Sequence, residues 1–207
     1  MAIEIDKTKT ALLVMDLQRN MVDEQSPVAQ HTGFAEMVKK TGLLPRVGKV
    51  MDAARAAGML VVTVKVDFTA GSFPRYPTRG DFCRMIAAEN QAGGALRPGT
   101  WGYETVPEVS PKEGEPVVGK RHMSAFSGSN LDEVLRKHAV TDIALTGVAT
   151  SYVVTATAWS ALNYGYSNIV IEDCCTTHNE EAQAAAIKGL RAIADICTAE
   201  EFMAAIQ

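Results

Sequence analysis

Apolar and polar positions along this chain alternate between two kinds of stretch. Residues 10–18, TALLVMDLQ, form a short continuous apolar run closing on Asp16. A run of that length bounded by polar residues predicts a strand buried on both faces. Residues 44–58 place Leu44, Val47, Val50, Met51 and Ala54 at helical spacing, with Gly58 as the stop. MLVVTVKVD (59–67) reads as a second strand, EPVVGK (115–120) as a third, TDIALTGVA (141–149) as a fourth and SNIVIED (167–173) as a fifth. Helices are predicted over 127–139, with Ser129 as cap and Asp132 three residues on, over 151–165, ending at Gly165, and over 179–193. The segment ADICTAEEFMAAIQ adds a sixth short strand and a last helix capped by Thr198. Strands alternating with helices imply an α/β fold with a parallel sheet between helical layers.

Residues 68–116 break this rhythm. They are rich in Gly, Pro and Arg, with one short helix expected at DFCRMIAAENQ. A stretch that long without regular structure in a compact domain is usually functional. No linker, repeat or low-complexity tract interrupts the pattern, so residues 1–207 are expected to form one domain.

Composition narrows the function classes. Hydrophobic residues are 47% and charged residues 21% of the chain, and the formal net charge is −4. With no basic block, nucleic acid and membrane surfaces are poor partners, and a small-molecule substrate is the better expectation. No apolar run reaches transmembrane length, and MAIEIDKTKTALLVMD does not read as a signal peptide. Cys83, Cys174, Cys175 and Cys197 make neither a CxxC pair nor a zinc spacing, which suits a reduced, cytoplasmic protein.

In a doubly wound sheet, ligands bind beyond the carboxyl ends of the strands. Asp16 closes strand one, Lys120 closes strand three, and the turn GVATS closes strand four. Brought together, Asp16 and Lys120 would form an ion pair, with the Asp pKa lowered and the Lys charged. In a site that excludes water, the Asp becomes a proton acceptor and the Lys an electrostatic stabiliser. Each feature also has a plainer explanation. A strand-end Asp caps turns, GKRH makes a solvated basic cluster, and GVATS connects a strand to a helix.

The combination is more specific. ALLVMDLQRN, VVGKRHMSAFSGSNLDEVL and LTGVATSYVVTATAWSALNYGY, with RPGTWGYETVPEV and IVIEDCCTTHNEE, resemble the isochorismatase-like hydrolases, also called cysteine hydrolases, over nearly the whole chain. The resemblance implies a Rossmann-like, three-layer α/β/α sandwich around a six-stranded, mainly parallel sheet. It implies Asp16 as general acid/base and Lys120 as its charged partner. It implies a cis peptide at Val148–Ala149, with the backbone amides of Ala149 and Val153 facing an oxyanion. It also implies a homo-oligomer, dimer or tetramer, to which residues 68–116 offer apolar and Arg side chains.

One position departs from the pattern. Amidase members carry a motif like G-x-A-T-x-x-C, which maps onto Gly147, Ala149 and Thr150 and places Val153 where the Cys belongs. Valine cannot attack a carbonyl, so the covalent route is closed there. Thr150, Ser151 and Thr155 point elsewhere on a helix. Cys174 and Cys175, after strand five, read as core residues, and Cys83 has no evident base. Isochorismatases also lack the Cys and are thought to use the Asp to protonate an enol ether before water adds. Their motifs resemble KWRYSAF and GVYAHxG rather than the KRHMSAF and GVATSYV found here, so the substrate need not be isochorismate.

The expected activity is therefore hydrolysis of a small molecule, at an enol-ether or C–N bond, by Asp16 and Lys120 with water as nucleophile. The alternatives are a ligand-binding or regulatory member and an amidase with a displaced thiol. Gln18, Phe68, Arg84, Trp101, Thr150 and Tyr152 are candidate pocket residues, and Arg75, Arg79, Arg84 and Arg97 are candidate carboxylate holders. The D-x-H metal motif of nicotinamidases would fall near VKVDFTAGS, where no His occurs, so neither a catalytic metal nor a cofactor is expected. His122 and His178 read as structural or exposed.

Overall fold

The computed structural model describes residues 3–69, 77–91 and 94–207. In chain order the elements are β1 (Thr10–Met15), α1 (Arg19–Val22), α2 (Pro27–His31), α3 (Phe34–Thr41), α4 (Leu43–Ala56), β2 (Leu60–Val66), α5 (Asp81–Gln91), β3 (Val117–Lys120), α6 (Leu131–Lys137), β4 (Asp142–Val148), α7 (Thr155–Tyr164), β5 (Ser167–Thr176), α8 (Glu180–Leu190), β6 (Asp195–Cys197) and α9 (Ala199–Ala205). The strands form one parallel sheet in the order β3-β2-β1-β4-β5-β6. Strand order reverses between β1 and β4, the crevice where doubly wound sheets bind ligands. Asp16 and Ala149 immediately follow those two strands.

Alternation along β1 explains the three layers. Leu12 and Val14 face a cluster with Val47, Val50, Met51 and Ala54 of α4 and Phe202 of α9. Ala11, Leu13 and Met15 face a second cluster with Leu131 and Leu135 of α6, Val154, Ala158 and Ala161 at α7, and Leu190 of α8. Both sides of the sheet are thus covered, which is why β1 reads as an unbroken apolar run.

Several boundaries differ from the sequence expectation. The pattern left 19–43 unassigned, and three helices occupy it; α1 and α2 are too short to display a 3.6-residue repeat, and the two turns of α3 bury Phe34, Ala35, Met37 and Val38. Strand β5 continues to Thr176, because after a register shift Gly147 and Val148 pair with Cys175 and Thr176. Cys174 and Cys175 therefore lie inside the strand rather than beyond it. The helix at 127–139 shortens to α6, with Asn130 at the cap position. The Ser129 hydroxyl accepts from the Leu131 N–H at 3.2 Å, one residue early. The helix at 151–165 opens with a wide π turn over Thr150–Val154. The expected Thr198 cap is present as a capping box with Glu201. No helix among the described residues is long and apolar enough to cross a membrane.

Candidate active site

β1 delivers Asp16 in a left-handed conformation, φ 59, which Asp tolerates better than most residues. Its N–H donates to the Val64 carbonyl at 2.9 Å, continuing the ladder with β2. Beside it, Gly147 has φ 133, and a Cβ there would sit 2.0 Å from the Met15 carbonyl oxygen. Only glycine lets β4 pass this close to the residue before Asp16. The following peptide bond, Val148–Ala149, is cis.

Lys120 ends β3, two strands away in the sheet, and its side chain spans β2 to reach Asp16. Its Nζ donates to Asp16 Oδ2 at 2.7 Å. Both residues are buried, 3% exposed for Asp16 and 2% for Lys120. The second carboxylate oxygen, Oδ1, has no hydrogen-bond partner among the described residues. Burial holds the Asp16 carboxyl above its ordinary pKa, against the opposing pull of the Lys120 charge and hydrogen bond. The sequence reading expected the shift to be downward; it considered the partner charge and not the loss of water around the carboxylate.

The pair lines a cavity of about 20 Å³, room for roughly one water molecule. Val148, Ala149, Tyr152 and Val153 wall it from the β4 side, Arg121, His122 and Met123 from the β3 side, and Phe34, Phe82 and Ile86 from the helices above. Tyr152 stacks on Phe82 with centroids 4.1 Å apart and meets Phe34 edge-on at 6.4 Å. On the far side of these rings is an outer cleft of about 220 Å³, lined by His31, Thr32, Asp81, Met85 and His178 and sharing Phe34, Phe82 and Tyr152 with the inner cavity. The aromatic rings thus stand between the Asp16 carboxylate and the surface.

Of the six pocket candidates from sequence, Tyr152 alone lines the inner cavity. Gln18 is locked in place as a substitute strand residue: its Nε2 donates to the Val66 carbonyl at 2.9 Å and its Oε1 accepts from the Val66 N–H at 2.7 Å. Phe68 is buried in the first core cluster. Arg84 is exposed and paired with Asp81 on its own helix. Trp101 is exposed under the Arg19 guanidinium, 5.7 Å from the ring centroid. The Thr150 hydroxyl donates to Gln183 at 2.7 Å. Of the arginines, Arg79 and Arg97 are also absent from the cavity wall, and Arg75 lies outside the described residues. His122, read as structural or exposed, is half-buried and lines the cavity, its pKa lowered by burial and by the Arg121 and Lys120 charges. His178 is exposed at the outer cleft.

Val153 is 2% exposed and packs into the second core cluster. The buried thiols are held protonated. Burial raises the pKa of Cys174 and Cys175 far above the usual thiol range and that of Cys197 to about 12. Cys83 lies on α5 beside Phe82 but does not line the cavity. Among the described residues no three His, Cys, Asp or Glu side chains group closely enough to hold a metal ion.

Comparison with known proteins settles the lineage. A model of the isochorismatase domain matches residues 10–201. The chain belongs to the isochorismatase family. It is 31% identical over 202 residues to an uncharacterized isochorismatase family protein, YwoC, of Bacillus subtilis, covering 97% of this chain and 96% of that one. It is 28% identical over 184 residues to the ureidoacrylate amidohydrolase RutB of Rhizobium rhizogenes, covering 86% of this chain and 73% of the relative. Among solved structures, the N-carbamoylsarcosine amidase of Thermoplasma acidophilum superposes with a TM-score of 0.70 at 26% identity, over 93% of this chain and 97% of that one. The protein is an isochorismatase-family hydrolase with the α/β fold of that family.

Proposed function

We propose that this hydrolase splits a small molecule with water as the nucleophile, Asp16 as the proton-transfer group and Lys120 as its charged partner, without a covalent thioester. The observation that carries this reading is the buried Asp16–Lys120 pair, which lines a cavity the size of one water and whose second carboxylate oxygen has no partner among the described residues. The names of the relatives, an amidohydrolase and an amidase, favour a C–N bond. In that reaction Asp16 takes a proton from the water as its oxygen attacks the carbonyl carbon. Lys120 and the amides of Ala149 and Val153 stabilise the oxyanion. The protonated Asp16 then returns the proton to the departing nitrogen as the C–N bond breaks. A carboxyl with a raised pKa suits both halves of this cycle.

The displaced-thiol route has less support, since three of the four thiols are buried and protonated. All four thiols are free, consistent with a reducing cytoplasm as the setting we infer. We also infer a homo-oligomer that works without a metal. Its interface was expected on 68–116; among the described residues α7 also exposes large apolar side chains, Trp159, Leu162 and Tyr164. Assaying a panel of amides, ureido acids and enol ethers with wild type and Asp16→Asn tests the function. Turnover lost in the variant supports it, and turnover untouched by the variant contradicts it.

A further inference from the structure

Gln183 sits one turn into α8, whose start is fixed by the Asn179 side chain accepting from the Ala182 N–H at 2.8 Å. The Gln183 side chain leaves the helix and reaches two other elements. Its Nε2 donates to the Cys175 carbonyl of β5 at 3.2 Å, and its Oε1 accepts from the Thr150 hydroxyl at 2.7 Å. A carbonyl can only accept, so Cys175 sets which way the amide lies and leaves the amide oxygen for Thr150. Both contacts fall where β4 ends. Cys175 pairs with Gly147, Thr176 pairs with Val148, and Thr150 comes two residues after that strand. Thr150 is fully buried, where a hydroxyl without a partner is costly. The Thr150 carbonyl is gripped as well, accepting from the Thr155 hydroxyl at 2.7 Å.

Thr150 opens the π turn, with Ala149 just before it and Val153 three residues on. Ala149 and Val153 both line the inner cavity with Asp16. The backbone ladder of a π turn is wider than that of an α-helix and runs for a single turn. The direction of its N–H groups therefore depends on what grips its ends. From this chain of contacts we infer that Gln183 is a positioning residue: through the Thr150 hydroxyl it fixes the turn that aims the Ala149 and Val153 amides at the oxyanion. The inference rests on the proposed oxyanion role of those amides. Gln183 itself is outside the cavity lining, so it acts only through Thr150. Oxyanion donors work by being held in place before the charge develops, and a small misplacement caused away from the chemistry costs much of the rate. Losing the tether slows the chemical step, while substrate binding to the cavity walls changes little.

The test is a double-mutant cycle on kcat, with Gln183→Met and Thr150→Val removing the two ends of one hydrogen bond while keeping side-chain shape. The substrate is whichever member of the amide, ureido-acid and enol-ether panel wild type turns over fastest. Each single variant is expected to lose about tenfold or more in kcat with KM within about threefold of wild type. The double variant is expected to lose no more than the worse single, because both changes cut the same tether. Glu181→Gln, on the same helix and exposed, is the control and keeps the wild-type rate. If Gln183→Met fails to fold, Gln183→Glu carries the comparison: it keeps an acceptor for Thr150, loses the donor to Cys175 and should show a smaller loss in kcat. An unchanged kcat in the Gln183 variants, a loss confined to KM, or losses that multiply in the double variant overturns the inference. Amide hydrogen exchange followed by NMR reads the tether without any substrate. Exchange at Ala149 and Val153 is expected to quicken in Gln183→Met while that of Leu12 and Leu13 in β1 stays as in wild type. Quickened exchange in a protein that hydrolyses nothing would leave the tether standing and remove the catalytic reading, and unchanged exchange would overturn the tether itself.

Discussion

Lys120 Nζ and Asp16 Oδ2 meet at 2.7 Å inside the protein, and the other oxygen of the same carboxylate, in a side chain that lines the inner cavity, has no hydrogen-bond partner among the described residues. In the proposed mechanism the Lys120-bound oxygen is held in place and the other oxygen is the one that exchanges a proton with water. Removing the lysine therefore does more than remove a charge. Lys120→Met strands Asp16 among apolar neighbours, and a buried charge that loses its partner costs about 3–5 kcal/mol unless it takes up a proton. The expected outcome is a lower unfolding free energy in denaturant titration, with a loss that grows as pH rises.

The raised pKa of Asp16 sets the sign of two pH effects. The native state holds this proton more tightly than the unfolded chain. The associated stability is complete below the ordinary value of 3.8 and is lost as pH rises through the raised folded value. Activity runs the other way if Asp16 is the base. kcat/KM should rise with pH along an acid limb whose midpoint lies above 3.8, and Lys120→Met should move that midpoint higher. A rate that instead falls through the same limb would mean Asp16 works as an acid, as enol-ether protonation requires.

Val153 forms part of the cavity wall and of the core behind it. Valine and cysteine differ little in volume, so Val153→Cys should cost less than about 1.5 kcal/mol in stability and leave the native rate within a few-fold. A rise of tenfold or more on amide substrates in the variant, together with a trapped acyl adduct by mass spectrometry, would show that the site still favours the covalent route.

How far the sequence reveals this site depends on what each residue needs around it. Asp16 and Lys120 are legible because each closes an apolar run, and the ends of parallel strands converge on one edge of the sheet. Gly147 and Val153 are legible from motif spacing. The aromatic wall is not. Phe34 begins one of the short helices between 19 and 43, and Phe82 sits on α5 within the long segment, so only the tertiary fold brings them to Tyr152. Gln18 shows the opposite failure. It was named as a candidate pocket residue, but its amide bonds the Val66 backbone, a partner 48 residues away. The Asp16 pKa was misjudged in sign because charge is written in the sequence and burial is not.

The exposed apolar residues of α7 make a prediction about assembly. Trp159 is 55% exposed and Leu162 42%, spaced three apart on one helix face. Trp159→Glu should shift the sedimentation coefficient at micromolar concentration from an oligomer toward the monomer while leaving the unfolding midpoint nearly unchanged. A wild type that sediments as a monomer would remove the inferred oligomer.

In the proposed mechanism Asp16 and a water molecule, not a thiol, carry out the hydrolysis. The most direct test compares rates on the same amide and enol-ether panel for wild type, iodoacetamide-treated wild type and Asp16→Asn. Turnover of at least one panel member is expected, retained after alkylation and reduced about 100-fold or more in Asp16→Asn. Turnover abolished by alkylation with protection by substrate, or unchanged in Asp16→Asn, would contradict it.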